Sequence, residues 1–384
     1  MQRRIITLTF ILLTLISFTL KAASFDVRIF SDKKVKTVTI TSLIGKYVVN
    51  SNTTKITELD KNMSLTLTLE KGKIRITNDK EDFGFYTTID VEGDGLKNII
   101  KIKPSNTDVN ERIYDDDLMF TVERGYFKII NKVEIEHYVA GVVQSEILGA
   151  SDSLEFFKIQ AIITRTYAIN NMMKHYKDGY NLCDDVHCQA YRSRCNKFQI
   201  LMAVSLTAGD VIVDKDKRMI SASFHSNSGG ETINSEDLWN IPTTYLKSVK
   251  DTFSNGMRNS YWEHKMPVKE WLSYLSDNFK FNSNDTSKVR AVLNFDQPTR
   301  KMFLVDSIYL KNIRKDLALK STFFSVKKQG DQVIIKGKGY GHGVGLSQEG
   351  AVKMVRYGYT ARQVLQYYYK DVELINYEEI KKID

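Results

Sequence analysis

Glycine stands at every other position from Gly337 to Gly345, in the order Gly-Lys-Gly-Tyr-Gly-His-Gly-Val-Gly. Successive residues of an extended chain point to opposite sides, so such a run removes one whole row of side chains. The bare side lets a second backbone or a sugar ring approach closely. The dinucleotide pattern Gly-x-Gly-x-x-Gly does not occur here, which argues against a nucleotide cradle. His342 is the one imidazole of the run. It is either a core histidine or, with Ser347 and Gln348 close behind it, a group facing a cleft.

The N-terminus bounds where the chain works. Arg3 and Arg4 precede an almost wholly apolar stretch, Ile5 to Leu20, and Ala22, Ala23 and Ser24 follow. Positive start, short apolar core and small exit residues describe a secretory signal over residues 1–23. An uncleaved anchor is the alternative, although the run falls short of the ~20 residues that a span needs. No cysteine follows the run, which disfavours a lipid anchor. Cleavage would take the formal charge from +9 to about +6. That suits weak attraction to an anionic polymer. An exported chain has little access to nucleic acid, and no recognition motif for it is present. The expected location is the periplasm or the cell wall and extracellular space.

Residues 24–107 read as a small β-rich domain. Lys36–Ile40, Leu65–Leu69, Lys73–Thr77 and Ile100–Lys103 alternate apolar and polar, with turns at Lys71-Gly72, Asn78-Asp79 and Gly93-Asp94-Gly95. Residues 108–384 mix strands and helices, giving an α+β chain overall. Strands are expected at Met119–Val122, Phe127–Ile130, Val211–Val213, Ile220–Phe224 and Val333–Lys336. A helix should follow Glu146, opened by Asp152 and Glu155 as a capping box and ending near His175. Leu154, Phe157, Ala161, Thr164, Ala168 and Met172 would form its buried face. Two more helices are expected, from Ser347 to about Tyr357 and over Ala361–Tyr369.

Four segments could carry chemistry. Glu146 lies among apolar neighbours, Val139 to Val143 and Ile147, where desolvation raises a carboxyl pKa toward the value a general acid needs. Arg165 is of the kind that pairs with a carboxylate and orders it; Glu146 is one such partner. Cys183, His187 and Cys188, with His175 upstream, can make a closed zinc site. In an oxidising compartment the alternative is a disulfide among Cys183, Cys188 and Cys195, although an odd cysteine count weakens it. Phe224-His225-Ser226-Asn-Ser228-Gly229-Gly230 gathers polar groups at a strand end. The Gly-x-Ser-x-Gly elbow is absent, so these read as ligand contacts rather than a nucleophile.

Together these segments resemble the SpoIID/LytB family. The resemblance rests on Tyr138-Val-Ala-Gly141-Val-Val-Gln-Ser-Glu146, on Gln160-Ala161 through Arg165-Thr-Tyr167-Ala168, and on the Cys/His/Gln/Tyr stretch ending at Tyr191. It continues through Thr207-Ala-Gly209, His225-Ser226-Asn-Ser228-Gly229-Gly230 and Gly339 to Ala351, spanning roughly Asp108 to Tyr369. Departures are small; the family often has Tyr where this chain has Phe224 and Glu349. The resemblance implies a peptidoglycan lytic transglycosylase. Such an enzyme cuts the MurNAc–GlcNAc bond of denuded glycan strands and leaves 1,6-anhydro-MurNAc ends, with Glu146 as acid and base. It implies substrate contacts at Arg165, Gln189, Tyr191, His225, Ser226, Ser228, His342, Ser347 and Gln348. Zinc, bound in some members of the family, would be structural and held by His175, Cys183, His187 and Cys188. The competing expectations are a non-catalytic enhancer of an N-acetylmuramoyl-L-alanine amidase and a zinc hydrolase.

Overall fold

The computed structural model describes residues 24–105, 108–147, 151, 153–305 and 308–380. The expected signal segment, residue 107 and Asp152 of the expected capping box lie outside them. Twelve strands precede the first helix. They are β1 (Ser24–Ile29), β2 (Thr37–Ile44), β3 (Tyr47–Ser51), β4 (Thr54–Leu59), β5 (Ser64–Glu70), β6 (Lys73–Thr77), β7 (Asp82–Tyr86), β8 (Ile89–Gly93), β9 (Ile99–Pro104), β10 (Arg112–Asp115), β11 (Asp117–Glu123) and β12 (Tyr126–Glu134). With β13 (Leu182–Cys183) they form two sheets, in the orders β13-β1-β12-β11-β8-β3-β4 and β10-β9-β2-β5-β6-β7.

The period-two patterning is realised in burial. In β2, Val38 and Ile40 are buried while Thr37, Thr39 and Thr41 are half-exposed; Leu65 and Leu67 of β5 behave alike. The break expected at residues 107/108 falls inside the sheets, because β9 pairs with β10, β8 with β11 and β1 with β12. One hydrophobic core runs from Phe25 to Val372 and joins both regions.

Helix α1 (Ile135–Ile147) leaves β12 without a loop. It contains the Gly141–Glu146 segment, which the sequence reading placed ahead of a helix. Glu146 therefore lies in a helix's last turn. Helix α2 (Leu154–Asn170) stops short of His175, and Met172, expected on its buried face, is outside it and 41% exposed. Helix α3 (Phe198–Leu206) follows, and Asp210–Val213 pairs with Glu373–Asn376. The strand expected at Ile220–Phe224 shrinks to Phe224–His225, parallel to Leu346–Ser347. Helices Gln348–Arg356 and Ala361–Tyr368 form as expected, the second with a full capping box from Thr360 and Gln363.

Residues 261–338 make a substructure that the sequence reading did not separate. Its sheet runs Tyr261–Pro267, Gln332–Lys338, Phe324–Gln329, Asn294–Phe295. Helices Val268–Phe279, Thr286–Leu293 and Leu310–Asp316 accompany it. A second core, around Trp271, Leu275, Ile313, Val326 and Ile335, fills it.

The Gly-rich run joins this substructure back to the body, and it is extended only as far as Lys338. Gly339, Gly341, Gly343 and Gly345 then take positive φ values of 77°, 114°, 86° and 70°. The room that they make is used by the chain itself. A Cβ at Gly337 would stand 2.0 Å from the Trp262 ring, one at Gly339 2.5 Å from the Asn227 carbonyl, and one at Gly345 2.1 Å from the Ser223 carbonyl.

Candidate active site

The last turn of α1 clasps the loop 189–196. The Ala190 N–H donates to Glu146 Oε1 at 2.9 Å, and the Arg192 N–H donates to Ser145 Oγ at 3.2 Å. The Asn196 N–H donates to Gln144 Oε1 at 2.9 Å. Gly141 has to be glycine because the Tyr191 ring packs where its Cβ would be, 2.5 Å away. Glu146 thus opens into a cleft of about 750 Å³ lined by Gln144, Ser145, Val186, Ala190, Arg192, Ser193, Asn196 and Lys197. Burial pushes its carboxyl pKa above the ordinary range; the Ala190 N–H and the Arg192 charge oppose that only in part. Glu146 is the one carboxylate among the described lining residues.

The Cys/His group lies on the chain just ahead of this loop. Ligand atoms of His175, Cys183, His187 and Cys188 all lie within 4.8 Å of one another. The Cys183 and Cys188 sulfurs are each 3.8 Å from His187 Nδ1. His175 Nε2 is buried without a partner, while its Nδ1 meets Asp178 Oδ2 at 3.1 Å. An orphaned buried nitrogen demands an explanation, and a carboxylate behind a ligating imidazole is the usual orienting arrangement. Two thiols, two imidazoles and this orphan fit a zinc ion. The cysteines are not bridged: Cys183, Cys188 and Cys195 are all free thiols. The parallel pairing of β13 with β1, Val27 to Leu182 and Arg28 to Cys183, holds this segment on the sheet.

The expected substrate contacts divide. Gln189 and Tyr191 flank Ala190 in sequence and point into the core. Gln189 is 3% exposed and accepts from Tyr138 Oη; Tyr191 is fully buried and donates to Asn131 Oδ1. Arg165 is also fully buried and forms a two-pronged pair with Glu136, not with Glu146; it also donates to the Asp210 carbonyl at 3.0 Å. These three hold the framework of the site and do not face the cleft. Burial along most of α2 makes these partners necessary, since a guanidinium left unpaired there would be strongly destabilising.

The remaining residues gather around the Phe224–His225 and Leu346–Ser347 bridge. Ser228 is buried, donates to Asp251 Oδ2 at 2.7 Å and lies 2.8 Å from Ser254 Oγ; Ser347 caps its helix by accepting from the Gly350 N–H. Both are structural, since polar groups this deep need partners. Ser226 accepts from Asn259 Nδ2 at 3.1 Å, and Gln348 Nε2 reaches Gln160 of α2 at 3.5 Å. His342 is half-buried and both its nitrogens are engaged, Nε2 with the Phe224 carbonyl and Nδ1 with the Val344 N–H. Burial pulls its pKa down to about 4, so it is neutral. The sequence reading missed the contributions of Ala190, Ser145 and Arg192. Two of these act through backbone N–H groups, which no side-chain pattern announces.

Residues 123–213 match the family model described as stage II sporulation protein. The chain is 28% identical over 302 residues to stage II sporulation protein D of Bacillus subtilis (strain 168), covering 72% of this chain and 84% of that protein. An uncharacterized protein of Brachyspira hyodysenteriae is 27% identical across 70% of this chain and 74% of its own length. The amidase enhancer of Bacillus subtilis is 27% identical across 62% of this chain and 40% of the enhancer. With the motifs and the α+β architecture, these likenesses support the resemblance to the SpoIID/LytB family. They support a cell-wall-related function.

Proposed function

We propose that the protein is a peptidoglycan lytic transglycosylase with Glu146 as its single acid and base. The observation that carries this reading is a lone, desolvated carboxylate in an open cleft, one oxygen held by the Ala190 N–H. Hydrolases of the inverting or double-displacement kind use two carboxylates. One suffices when the attacking hydroxyl belongs to the substrate. Protonated Glu146 donates to the glycosidic oxygen, and the departing bond leaves oxocarbenium character at the anomeric carbon. The carboxylate, now anionic, takes the proton of the same sugar's C6 hydroxyl, whose oxygen closes on the anomeric carbon. The products are a 1,6-anhydro end and a free hydroxyl on the leaving sugar; no water is consumed.

Zinc would be held by His175, Cys183, His187 and Cys188. Four protein ligands would leave no open position, so its contribution would be to fix the loop that presents Ala190. The chain would act outside the cytoplasm; no described helix is long and apolar enough to cross a membrane.

Mass spectrometry after incubation with purified denuded strands tests the reading. Anhydro-muramic ends that vanish with Glu146→Gln support it. A second reading is favoured by the likeness to the amidase enhancer. If the protein binds strands, yields no product and accelerates an N-acetylmuramoyl-L-alanine amidase, the enhancer role replaces the enzymatic one.

A further inference from the structure

Residues 261–338 differ from the rest of the chain in charge. They hold fifteen Lys and Arg against eight Asp and Glu, whereas the chain from residue 24 is otherwise close to neutral. This basic unit meets the body at a cleft of about 290 Å³, which shares no lining residue with the Glu146 cleft. Tyr261, Thr299 and Lys338 line it from the unit, Lys250 and Asn255 from the body. Gly229 lets the two parts close together, since its Cβ would stand 2.7 Å from the Lys338 backbone. The segment His225–Gly230 thus reaches an open cavity at its glycine end. The polar groups there are idle within the fold. Among the described residues no carboxylate pairs with Lys250 or Lys338, and the side chains of Asn255, Thr299 and Tyr261 have no hydrogen-bond partner. Glu231, the one carboxylate of the described lining, accepts from the Arg300 N–H at 3.1 Å and has the Arg300 charge close by.

The charge continues along the outer face of the unit's sheet. Tyr261 is registered opposite Lys338 and Glu263 opposite Lys336, while Trp262, Val333 and Ile335 turn the other face to the second core. Lys336 and Lys338 stand two apart on one strand, so they leave the same side about 7 Å from each other. Lys265 extends the row on the neighbouring strand. Glu263 serves two of these lysines, at 3.0 Å from Lys265 Nζ and 3.9 Å from Lys336 Nζ; all three are well exposed, so the pairing is weak. An ammonium is a point charge that suits phosphate, whereas a carboxylate is better matched by the planar fork of arginine. A bilayer cannot enter a cleft, and Tyr261 is the one exposed large hydrophobic group described in the unit.

We propose that the cleft between Lys250 and Lys338, with the lysine row beyond it, docks a polyol phosphodiester polymer of the cell envelope. The two ammonium groups hold one phosphodiester, and Asn255, Thr299 and Tyr261 bond the hydroxyls beside it. Lys336 takes the following phosphate. This docking is independent of the chemistry at Glu146. It holds the protein to an anionic polymer while the Glu146 cleft stays free.

Fluorescence anisotropy of labelled poly(glycerol phosphate), titrated with the full chain at several salt concentrations, tests this. Lys250→Gln combined with Lys338→Gln should weaken binding roughly 100-fold, about tenfold for each charge-assisted contact. It should also flatten the slope of log affinity against log salt by about 1.4, the counterions that two contacts release from a single-stranded polyanion. Neither lysine has an ion pair to lose, so the melting temperature should hold. Lys61→Gln combined with Lys73→Gln, which removes the same charge from exposed positions in the N-terminal sheets, should leave binding unchanged. Equal binding by the Lys250/Lys338 variant and the unaltered chain overturns the proposal. So does an equal loss in the Lys61/Lys73 variant, which would make net charge the cause. Tighter binding of a thymidine oligonucleotide of the same charge, or a loss confined to phosphatidylglycerol vesicles, overturns it in favour of a nucleic acid or a bilayer. Absence of polymer binding by the unaltered chain overturns it too, and leaves the Glu146→Gln experiment untouched.

Discussion

At Glu146 the cost of burial and the chemistry are the same quantity. A carboxyl whose folded pKa is raised favours folding while protonated, and that contribution is lost as pH rises through the raised value. Glu146→Gln should therefore raise the melting temperature at neutral pH while lowering cleavage by on the order of 10²–10⁴. A neutral or negative shift in melting temperature would contradict the desolvated carboxyl. The acid step also requires the proton, so turnover should decline as pH climbs past the same value. Arg165 behaves oppositely. Arg165→Ala strands Glu136 beside a fully buried hole and should cost about 3–5 kcal/mol in denaturant unfolding, with glycan affinity per folded molecule unchanged. The sequence disclosed Glu146 through its apolar neighbours. It did not disclose Arg165's partner, because Glu136 and Glu146 share one helix and only packing decides which faces α2.

Among elements, patterning was legible wherever one face meets a core. The alternations at Lys36–Ile40, Leu65–Leu69 and Lys73–Thr77 became the strands Thr37–Ile44, Ser64–Glu70 and Lys73–Thr77. Helix α1 was hidden because Gly141 and the β-branched Val142 and Val143 are poor helix formers; burial of Val139, Val142 and Val143 outweighs that preference. The Cys/His segment has almost no secondary structure of its own; a two-residue pairing with β1 and the Asp184 carboxylate, which accepts from the Phe30 and Ser31 N–H groups and from Arg112, tie it to the sheets. Chelation should lower the melting temperature, and one zinc per chain should be found by elemental analysis of untreated protein. In the Gly-rich loop, Gly345→Ala meets the Ser223 carbonyl at 2.1 Å in a left-handed backbone. A loss of at least about 2 kcal/mol is expected from strain and displacement together.

For the whole molecule, two cores sit on one continuous chain. The body's core takes in both sheets and the helices; the second is confined to residues 261–338. Trp271 is fully buried in the second core and donates to the Val292 carbonyl at 3.2 Å. Trp271→Ala should cost about 3–5 kcal/mol, with lost amide-exchange protection concentrated in 261–338 and the loop around Ala190 left protected. Nothing in the sequence marked this unit. Its strands are interrupted by short helices, and the motifs flanking it read as neighbours of one site, which in space they are. The parallel pairing of β13 with β1 has a consequence for manufacture. Asp26 and Asn181 bond across 155 positions. Strand β1 must therefore stay unpaired on that edge until the Cys/His segment has been synthesised as well. Contacts so distant in sequence form slowly, so the Ala190 N–H that holds Glu146 Oε1 reaches it only once the chain as far as residue 190 has been delivered.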